Sequence, residues 1–278
     1  MTELDILDLN DEVLVQTYQG DNYQCFDTGV DSKICYILFS SNGLYYPNTR
    51  EVFEDIVIKK DRYEWKWVVK NSRIPQKAGR IIYVRDIYKE WYAKGINARD
   101  NTIDKTIKLL KKLTEGYRVI TVGSSAGGYM AVLVAVMLKA EYCYNFSGQY
   151  ILSDRNENPY YDLTDIVRLY NGTIFYFFPV RCDSDKEHYD SVKNVECVKA
   201  FMFDESKHAA TMFAGNMSYI IDATKEDMLK LYEKYNGRKI NKFLFLLRTV
   251  PFHRVFGIMK KEILDFMIRR MGKQQTGV

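Results

Sequence analysis

The segment from Val119 to Leu138 constrains the fold of this chain more than any other feature of its sequence. It opens with four consecutive β-branched residues, Val119 to Val122, which predict a short strand. A glycine-rich turn follows, Gly123-Ser124-Ser125-Ala126-Gly127-Gly128, and the residues from Tyr129 to Leu138 carry no charge, as in a helix buried on all sides. A strand that turns tightly into a buried helix predicts an α/β protein, in which helices cover a sheet.

Apolar runs and helical periodicities alternate along the rest of the chain. The run from Ile34 to Phe39 has no charged residue and predicts a central strand buried on both faces. Further strands are predicted at Ile81 to Val84, Tyr142 to Phe146, Ile174 to Val180 and Val198 to Phe203, and helices at Ile103 to Leu113, Leu163 to Tyr170 and Lys186 to Val192. This alternation predicts a mostly parallel sheet with helices on both faces, built as a single domain over residues 1 to 278.

Two other segments are predicted to be extended. Val13 to Tyr18 and Tyr23 to Phe26 alternate between apolar and polar residues on either side of Gly20-Asp21, which predicts a hairpin at the start of the chain. Tyr63 to Val69 is a further strand candidate. The first lies before the central strand at Ile34 to Phe39, and the second lies after it.

The composition excludes several classes of protein. Hydrophobic residues make up 47% of the chain and charged residues 27%, which is typical of a folded globular protein. A net charge of +4 is too small for a nucleic-acid-binding surface, so no nucleic-acid partner is expected. The five cysteines show no CxxC pair or metal-ligand spacing, so no metal site is expected. The acidic N-terminal residues differ from a signal peptide, which favours a cytoplasmic location.

The C-terminal segment has a character of its own. Residues 238 to 278 are basic and apolar, and Ile263, Leu264, Met267 and Ile268 recur at helical spacing, which predicts an amphipathic helical segment. Two interpretations remain open. The segment packs on the domain, or it forms a surface for a membrane, such as the inner face of the cell membrane, or for a partner enzyme.

The glycine-rich turn fits the pattern G-x-S-x-G, with Ser125 at its centre. In this pattern a serine sits on a strained turn between a strand and a helix, and small residues such as Gly123, Gly127 and Gly128 allow the neighbouring chain to approach closely. The backbone N–H of Ala126, at the start of the helix, is a candidate donor to a developing oxyanion. A plain turn is the alternative, whereas a phosphate-binding loop fits poorly because the G-K-[ST] ending is missing.

A serine nucleophile needs a base, and the chain has three histidines. His208 follows the strand that ends at Phe203, where a loop at the carboxyl edge of the sheet would present it. His188 lies in a predicted helix and His253 in the C-terminal segment. We therefore predict that His208 is the base.

The acid is expected after the preceding strand, which gives the chain order Ser, Asp, His. Asp183 and Asp185 both follow that strand. Asp185 is preferred, Asp183 is the runner-up, and a helix cap or a solvated acid is the alternative for either. A second oxyanion donor is expected in the loop after Phe39, with Asn42 and Gly43 as candidates and a plain turn as the alternative.

The stretch from Val119 to Ala131 resembles the α/β-hydrolase superfamily, and the order of Ser125, Asp185 and His208 agrees with it. A narrower resemblance is to small bacterial hydrolase-fold proteins of surface or capsular polysaccharide biosynthesis. It rests on four short segments: Val-Arg-Asp at 84 to 86, Trp-Tyr at 91 to 92, Gly-Ile-Asn at 95 to 97 and Phe-Ser-Gly-Gln at 146 to 149. This resemblance implies a three-layer fold and an enzyme that transfers or removes O-acetyl groups on a glycan.

The same resemblance implies candidate substrate-binding residues and a possible acyl donor. Trp91, Tyr92 and Gln149 are candidate substrate-binding residues, because aromatic rings stack on sugars, although packing within the protein is the alternative. No cofactor is expected to be tightly bound, and acetyl-CoA is a possible acyl donor. An esterase acting on a glycan or a small ester is the alternative activity. A second alternative is a non-catalytic scaffold of the same fold, whose basic C-terminal segment docks on a glycosyltransferase or a membrane.

Overall fold

The computed structural model describes residues 5–153, 158–209, 211–261 and 264. Eight strands form a sheet in the order β1-β3-β2-β4-β5-β6-β7-β8. The strands are β1 (Tyr23–Asp27), β2 (Ile34–Phe39), β3 (Arg80–Val84), β4 (Arg118–Ser124), β5 (Tyr142–Phe146), β6 (Thr173–Pro179), β7 (Val198–Phe203) and β8 (Lys239–Ile240). β1 is antiparallel to β3, and the other neighbouring pairs are parallel.

Helices cover the sheet on both faces. They are α1 (Glu12–Gln19), α2 (Arg50–Phe53), α3 (Lys66–Lys70), α4 (Ile74–Lys77), α5 (Ile103–Leu113), α6 (Ala126–Leu138), α7 (Thr164–Arg168), α8 (Asp183–Val192), α9 (Ala214–Ile220), α10 (Lys225–Tyr235) and α11 (Lys242–Thr249). A 3-10 helix spans Asn42–Leu44, a π-helix spans Glu54–Lys59, and residues 252–261 are helical.

The central strands separate two hydrophobic cores. Along β2, Cys35, Ile37 and Phe39 belong to the core that contains α6, whereas Tyr36 and Leu38 belong to the core on the opposite face. Because successive side chains of a strand point to opposite faces, this alternation shows that the sheet is buried on both sides. The predicted α/β architecture, with a mostly parallel sheet between helical layers, is confirmed by this topology.

The predicted hairpin at the start of the chain is wrong in its first half. Val13 to Tyr18 lies in α1, which begins after Asp11, whose carboxylate accepts the N–H of Val13 at 2.8 Å. This cap satisfies an N–H that a helix leaves free at its first turn. The second half of the predicted hairpin does form a strand, β1, but it pairs with β3.

The predicted strand at Tyr63 to Val69 is also wrong, because this segment leads into α3. Trp65, Val68 and Val69 are all buried, and their spacing of three and four residues is that of one helical face. Tyr63 is buried as well, although it precedes the helix. A short apolar run fits either period, and packing against the sheet decides between them.

The described part of the C-terminal segment packs on the domain through one side. Phe245 of α11 joins the second core, and Leu246 contributes to a smaller cluster with Val250 and Val255. Ile263, Met267 and Ile268, which the sequence predicted to be helical, lie outside the described residues. No helix in the ranges described is both long enough and apolar enough to cross a bilayer. The assignment of residues 1 to 278 to a single domain remains a prediction.

Candidate active site

Ser125 occupies the turn between β4 and α6, with φ of 51° and ψ of −123°. A positive φ is unusual for a residue with a side chain, and such a conformation costs on the order of 1–3 kcal/mol. Two backbone hydrogen bonds hold it. The N–H of Ser125 donates to the carbonyl of Phe146 at 2.9 Å, and the N–H of Tyr129 donates to the carbonyl of Ser125 at 3.0 Å. The turn is therefore fixed by both β5 and α6.

The glycines of the turn are required by close packing. A Cβ atom on Gly123 would lie 2.0 Å from the carbonyl oxygen of Gly127, and one on Gly127 would lie 2.3 Å from that of Phe39. A Cβ on Gly128 would lie 2.5 Å from Oδ1 of Asn145. Any side chain at these positions would therefore push α6 away from the ends of β2 and β5. The three glycines predicted from the sequence all belong to this turn.

Three side chains distant in the sequence meet at the carboxyl edge of the sheet. Nε2 of His208 lies 2.9 Å from Oγ of Ser125, and Nδ1 of His208 lies 2.8 Å from Oδ2 of Asp185. Ser125 follows β4, Asp185 lies in α8 after β6, and His208 follows β7. These strands are parallel, so their carboxyl ends open onto the same edge of the sheet.

Asp183 and Asp185 have different environments although both lie in the first turn of α8. Asp183 is exposed, whereas the side chain of Asp185 is fully buried. Oδ1 of Asp185 has no hydrogen-bond partner among the described residues, so the contact with His208 is the hydrogen bond seen on this carboxylate. The geometry therefore selects Asp185 over the runner-up.

The other histidines do not meet Ser125 in the described contacts. His188 lies in α8, three residues after Asp185, and burial lowers its pKa. His253 is exposed in the C-terminal segment. His208 is the histidine whose ring bonds to both the serine and the carboxylate.

The arrangement fixes the proton on the imidazole. A buried carboxylate accepts hydrogen bonds, so Asp185 favours the tautomer of His208 that carries its proton on Nδ1. Nε2 then presents a lone pair to the Ser125 hydroxyl, which donates to it. In this state the imidazole can take the serine proton as the oxygen attacks an electrophile.

Backbone donors for an oxyanion are available beside Ser125. The first hydrogen bond of α6 runs from Tyr129 to Ser125, so the N–H of Ala126 is outside the helical ladder. Ala126 directly follows the serine at the positive end of the helix dipole. This position suits the donor that the sequence predicted.

The loop after β2 lies directly against the turn that carries Ser125. A Cβ on Gly127 would meet the carbonyl oxygens of both Phe39 and Ser40. Within the loop, the N–H of Gly43 donates to Oγ of Ser41 at 3.0 Å. Gly43 is therefore wrong as the second oxyanion donor in this conformation, because its N–H is already bound. Asn42 begins the 3-10 helix, which leaves its backbone N–H outside the helical bonding.

Glu64 is a residue of the site that the sequence did not indicate. Its Oε2 accepts the N–H of Ser41 at 2.5 Å, and its Oε1 accepts the Ser41 hydroxyl at 3.1 Å. Burial raises the pKa of Glu64, and the two bonds from Ser41 oppose that shift. Glu64 therefore holds the loop next to the serine. It lies in the segment that was predicted to be a strand, and no sequence motif distinguished it.

The predicted substrate-binding residues have different surroundings. Trp91 and Gln149 are partly exposed, and Nε1 of Trp91 donates to Oε1 of Gln149 at 3.2 Å. Tyr92 is wrong as a substrate-stacking residue, because its ring is fully buried. Its hydroxyl donates to the carbonyl of Ser40 at 2.7 Å, so Tyr92 supports the loop after β2.

Asp86 organises the segment that carries Trp91. Its carboxylate accepts three backbone N–H groups, from Tyr88 and Lys89 at 3.0 Å and from Tyr92 at 2.8 Å. Lys89, Trp91 and Tyr92 all have positive φ, a strained conformation that the buried carboxylate stabilises. Burial raises the pKa of Asp86 to about 6.

A metal site would need several ligating side chains close together. Within residues 5–153, 158–209, 211–261 and 264, no group of three or more His, Cys, Asp or Glu side chains is placed to hold a metal ion.

Neither a protein-family model nor a curated protein sequence matches this chain. Solved structures of other proteins do match it in part. A 2,6-dihydroxy-pseudo-oxynicotine hydrolase is 13% identical over 79% of this chain and 66% of its own, with a TM-score of 0.46. Est1E from Butyrivibrio proteoclasticus is 12% identical over 75% and 93%, with a TM-score of 0.45. The capsule O-acetyltransferase of Neisseria meningitidis serogroup A is 10% identical over 77% and 92%, with a TM-score of 0.46.

Proposed function

We propose that this chain is a serine enzyme that transfers acyl groups through an ester on Ser125. The observation that carries the proposal is the continuous hydrogen-bonded path from Asp185 through His208 to Ser125. A strained turn, a free N–H at a helix start and a buried acid accompany it. Together they supply a nucleophile, its base and stabilisation for an oxyanion.

The first half of the reaction forms the acyl-enzyme. Oγ of Ser125 attacks the carbonyl carbon of an ester or thioester while Nε2 of His208 takes the hydroxyl proton. The resulting oxyanion accepts hydrogen bonds from the N–H of Ala126 and, we propose, from the N–H of Asn42. The bond to the leaving group then breaks, and the leaving group departs with the proton held by His208.

The second half transfers the acyl group to an acceptor. His208 removes a proton from the acceptor hydroxyl, whose oxygen attacks the ester carbon, and the serine leaves with that proton. Water as acceptor makes the protein an esterase. A sugar hydroxyl makes it a transferase, and the resemblance of the sequence to capsule-biosynthesis proteins supports O-acetyl transfer from acetyl-CoA to a bacterial surface polysaccharide. Trp91 and Gln149 are the candidate residues for contacting the sugar.

Labelling with a fluorophosphonate tests the nucleophile. These reagents bond to activated serine hydroxyls, so peptide mass spectrometry is expected to find the adduct on Ser125. The Ser125→Ala variant should lose both labelling and hydrolysis of p-nitrophenyl acetate, whereas Ser124→Ala, a change at the neighbouring residue, should retain both. Activity that survives in a folded Ser125→Ala variant would refute the proposal, and a scaffold role would then be favoured.

A second experiment separates transfer from hydrolysis. The enzyme is given acetyl-CoA labelled in the acetyl group, with and without a de-O-acetylated capsular polysaccharide, and the label is followed into the glycan and into free acetate. A transferase deposits label on the polysaccharide in a manner that depends on Ser125. Rapid release of acetate with no label on any sugar acceptor would leave the esterase as the function.

A further inference from the structure

The charge of this chain is distributed unevenly. Residues 238 to 278 contain ten basic residues, Lys or Arg, and two acidic residues, Asp or Glu. The whole chain contains 40 basic and 36 acidic residues. The preceding residues therefore carry a small negative net charge, and the C-terminal segment is strongly positive. From residue 238 to residue 261 there is no acidic residue at all.

The same segment exposes large apolar side chains. Phe252 is 85% exposed and Phe256 is 79% exposed, values that are unusual for aromatic residues. Among the described residues of this segment, the exposed large apolar side chains are Phe243, Leu244, Leu247, Phe252, Phe256 and Leu264. We call these residues, together with Arg248, Arg254, Lys260 and Lys261, the C-terminal basic surface.

This exposure is not explained by packing on the domain. The inner side of the segment is already buried through Phe245, Leu246, Val250 and Val255. A helix on the surface of a globular protein ordinarily has one apolar stripe, which faces the core, and a polar outer side. Here the outer side is apolar too, and clustered apolar exposure of this kind marks an interaction surface.

The C-terminal basic surface adjoins the segments that frame the candidate active site. Nζ of Lys242 lies 3.0 Å from Oε1 of Glu205, three residues before His208. Farther along, Ile258 packs where a Cβ on Gly215 would lie, and Nζ of Lys261 lies 3.9 Å from the ring centroid of Trp67. The start of α11 therefore lies next to the loop that presents the base, and the surface begins at the following residue, Phe243.

We propose that the C-terminal basic surface binds an anionic lipid bilayer, with its aromatic side chains in the headgroup region. Lysine and arginine interleaved with Phe and Leu are the residues that an interfacial segment uses, since the apolar groups enter the bilayer while the cations meet lipid phosphates. A second copy of this chain fits poorly, because a symmetric contact would bring these unbalanced positive charges together. The proposal does not depend on the proposed function.

Co-sedimentation with vesicles tests this proposal. The full chain is mixed with vesicles of phosphatidylcholine alone or of equal parts phosphatidylcholine and phosphatidylglycerol. Binding is expected to the anionic vesicles and to weaken as salt is added, because the cations contribute through a screened interaction. Equal binding to both vesicle types, or no binding to either, would overturn the proposal.

Variants identify the surface responsible. The double substitution Phe252→Ser and Phe256→Ser should weaken the partition coefficient by at least about tenfold, since two large apolar groups no longer enter the bilayer. Arg254→Glu should weaken it by at least about fivefold. Leu169→Ser is the matched control, because Leu169 is 79% exposed but belongs to the α7 region, and it should bind as the unaltered protein does.

Two further readouts keep the test decisive. Hydrolysis of p-nitrophenyl acetate by each variant should be unchanged, which shows that the fold is intact and separates this proposal from the one on catalysis. Sedimentation velocity in the absence of lipid should give the same mass for the unaltered chain and for the double variant. A dimer that dissociates in the double variant would assign the surface to a second copy, and the bilayer proposal would fail.

Discussion

Replacing Asp185 by Asn tests the candidate site most directly, because it changes one buried atom and keeps the size of the side chain. In the unaltered chain Oδ2 of Asp185 accepts from Nδ1 of His208 at 2.8 Å. The amide has an oxygen and an NH₂ group, and neither is charged. If the NH₂ group faces the ring, Nδ1 becomes the acceptor and the proton moves to Nε2, which then cannot take the proton of Ser125.

The expected loss is large because the side chain of Asp185 is fully buried and water cannot replace it. Wrong-tautomer variants of serine proteases, a case known from other proteins, lose about 10⁴-fold in kcat. We expect kcat/KM for p-nitrophenyl acetate to fall by roughly 10³ to 10⁴, which corresponds to about 4 to 5.5 kcal/mol of transition-state stabilisation. The rate of fluorophosphonate labelling at Ser125 should fall in parallel.

Asp183→Asn is the matched control, since Asp183 lies in the same helical turn but is exposed. It should change kcat/KM by less than about twofold, as expected for a surface substitution that touches no reacting group. Circular dichroism and thermal unfolding check that both variants fold. A folded Asp185→Asn variant that keeps a tenth or more of the activity, or an equal loss in Asp183→Asn, would refute the assigned role.

Three other predictions concern the frame around the serine. Gly127→Ala should destabilise the fold by about 1–3 kcal/mol in urea denaturation, because its Cβ would lie 2.3 Å from a backbone oxygen, whereas Gly257→Ala, where a Cβ meets nothing within 4 Å, should not. Glu64→Gln can accept only one of the two bonds from Ser41 and should lower kcat for ester hydrolysis roughly tenfold; an unchanged kcat contradicts a positioning role. Burial raises the pKa of Asp86 to about 6, so the folded state binds this proton more tightly than the unfolded state. The stabilising contribution of its protonation is therefore complete below about pH 4 and is lost as the pH rises through 6, and the stability of the unaltered chain relative to Asp86→Asn should decrease by at most about 3 kcal/mol between about pH 4 and pH 7. A stability difference that does not change with pH would contradict the raised pKa.

The central sheet could be predicted because its strands are buried on both faces. β5 and β7 have the predicted bounds, β4 extends the predicted segment by one residue at its start and two at its end, and β6 begins and ends one residue earlier than predicted. A strand that is apolar on both faces must be buried on both faces, so a continuous apolar run has few possible positions other than the centre of a sheet. The helix α6 was predictable for the same reason.

The segments that pack on one side only were not predictable in the same way. In α1, Leu14 is fully buried whereas Val15 is 38% exposed. The apolar residues of this segment therefore do not all lie on one helical face, and their spacing does not identify a helix. The cap at Asp11 decides that this segment is a helix, and a single capping residue is a weak signal in a sequence. Tertiary contacts then outweigh the alternation that suggested a strand.

Residues of the candidate site were predictable where the sheet positions them, and they were not predictable where a loop does. Ser125, Asp185 and His208 each follow a buried strand, and parallel strands bring their carboxyl ends to one edge, so chain order was sufficient to bring these three segments together. The choice of Asp185 over Asp183 needed the burial and the contact that the structure shows. Glu64 reaches the site from a segment that contributes no strand, and its contact with Ser41 depends on how the chain between β2 and β3 folds back. Residues that the sheet positions can be found from strand order alone. Residues that a loop positions become visible only when the loop's own hydrogen bonds are known, and in this chain those bonds end on the backbone next to the serine.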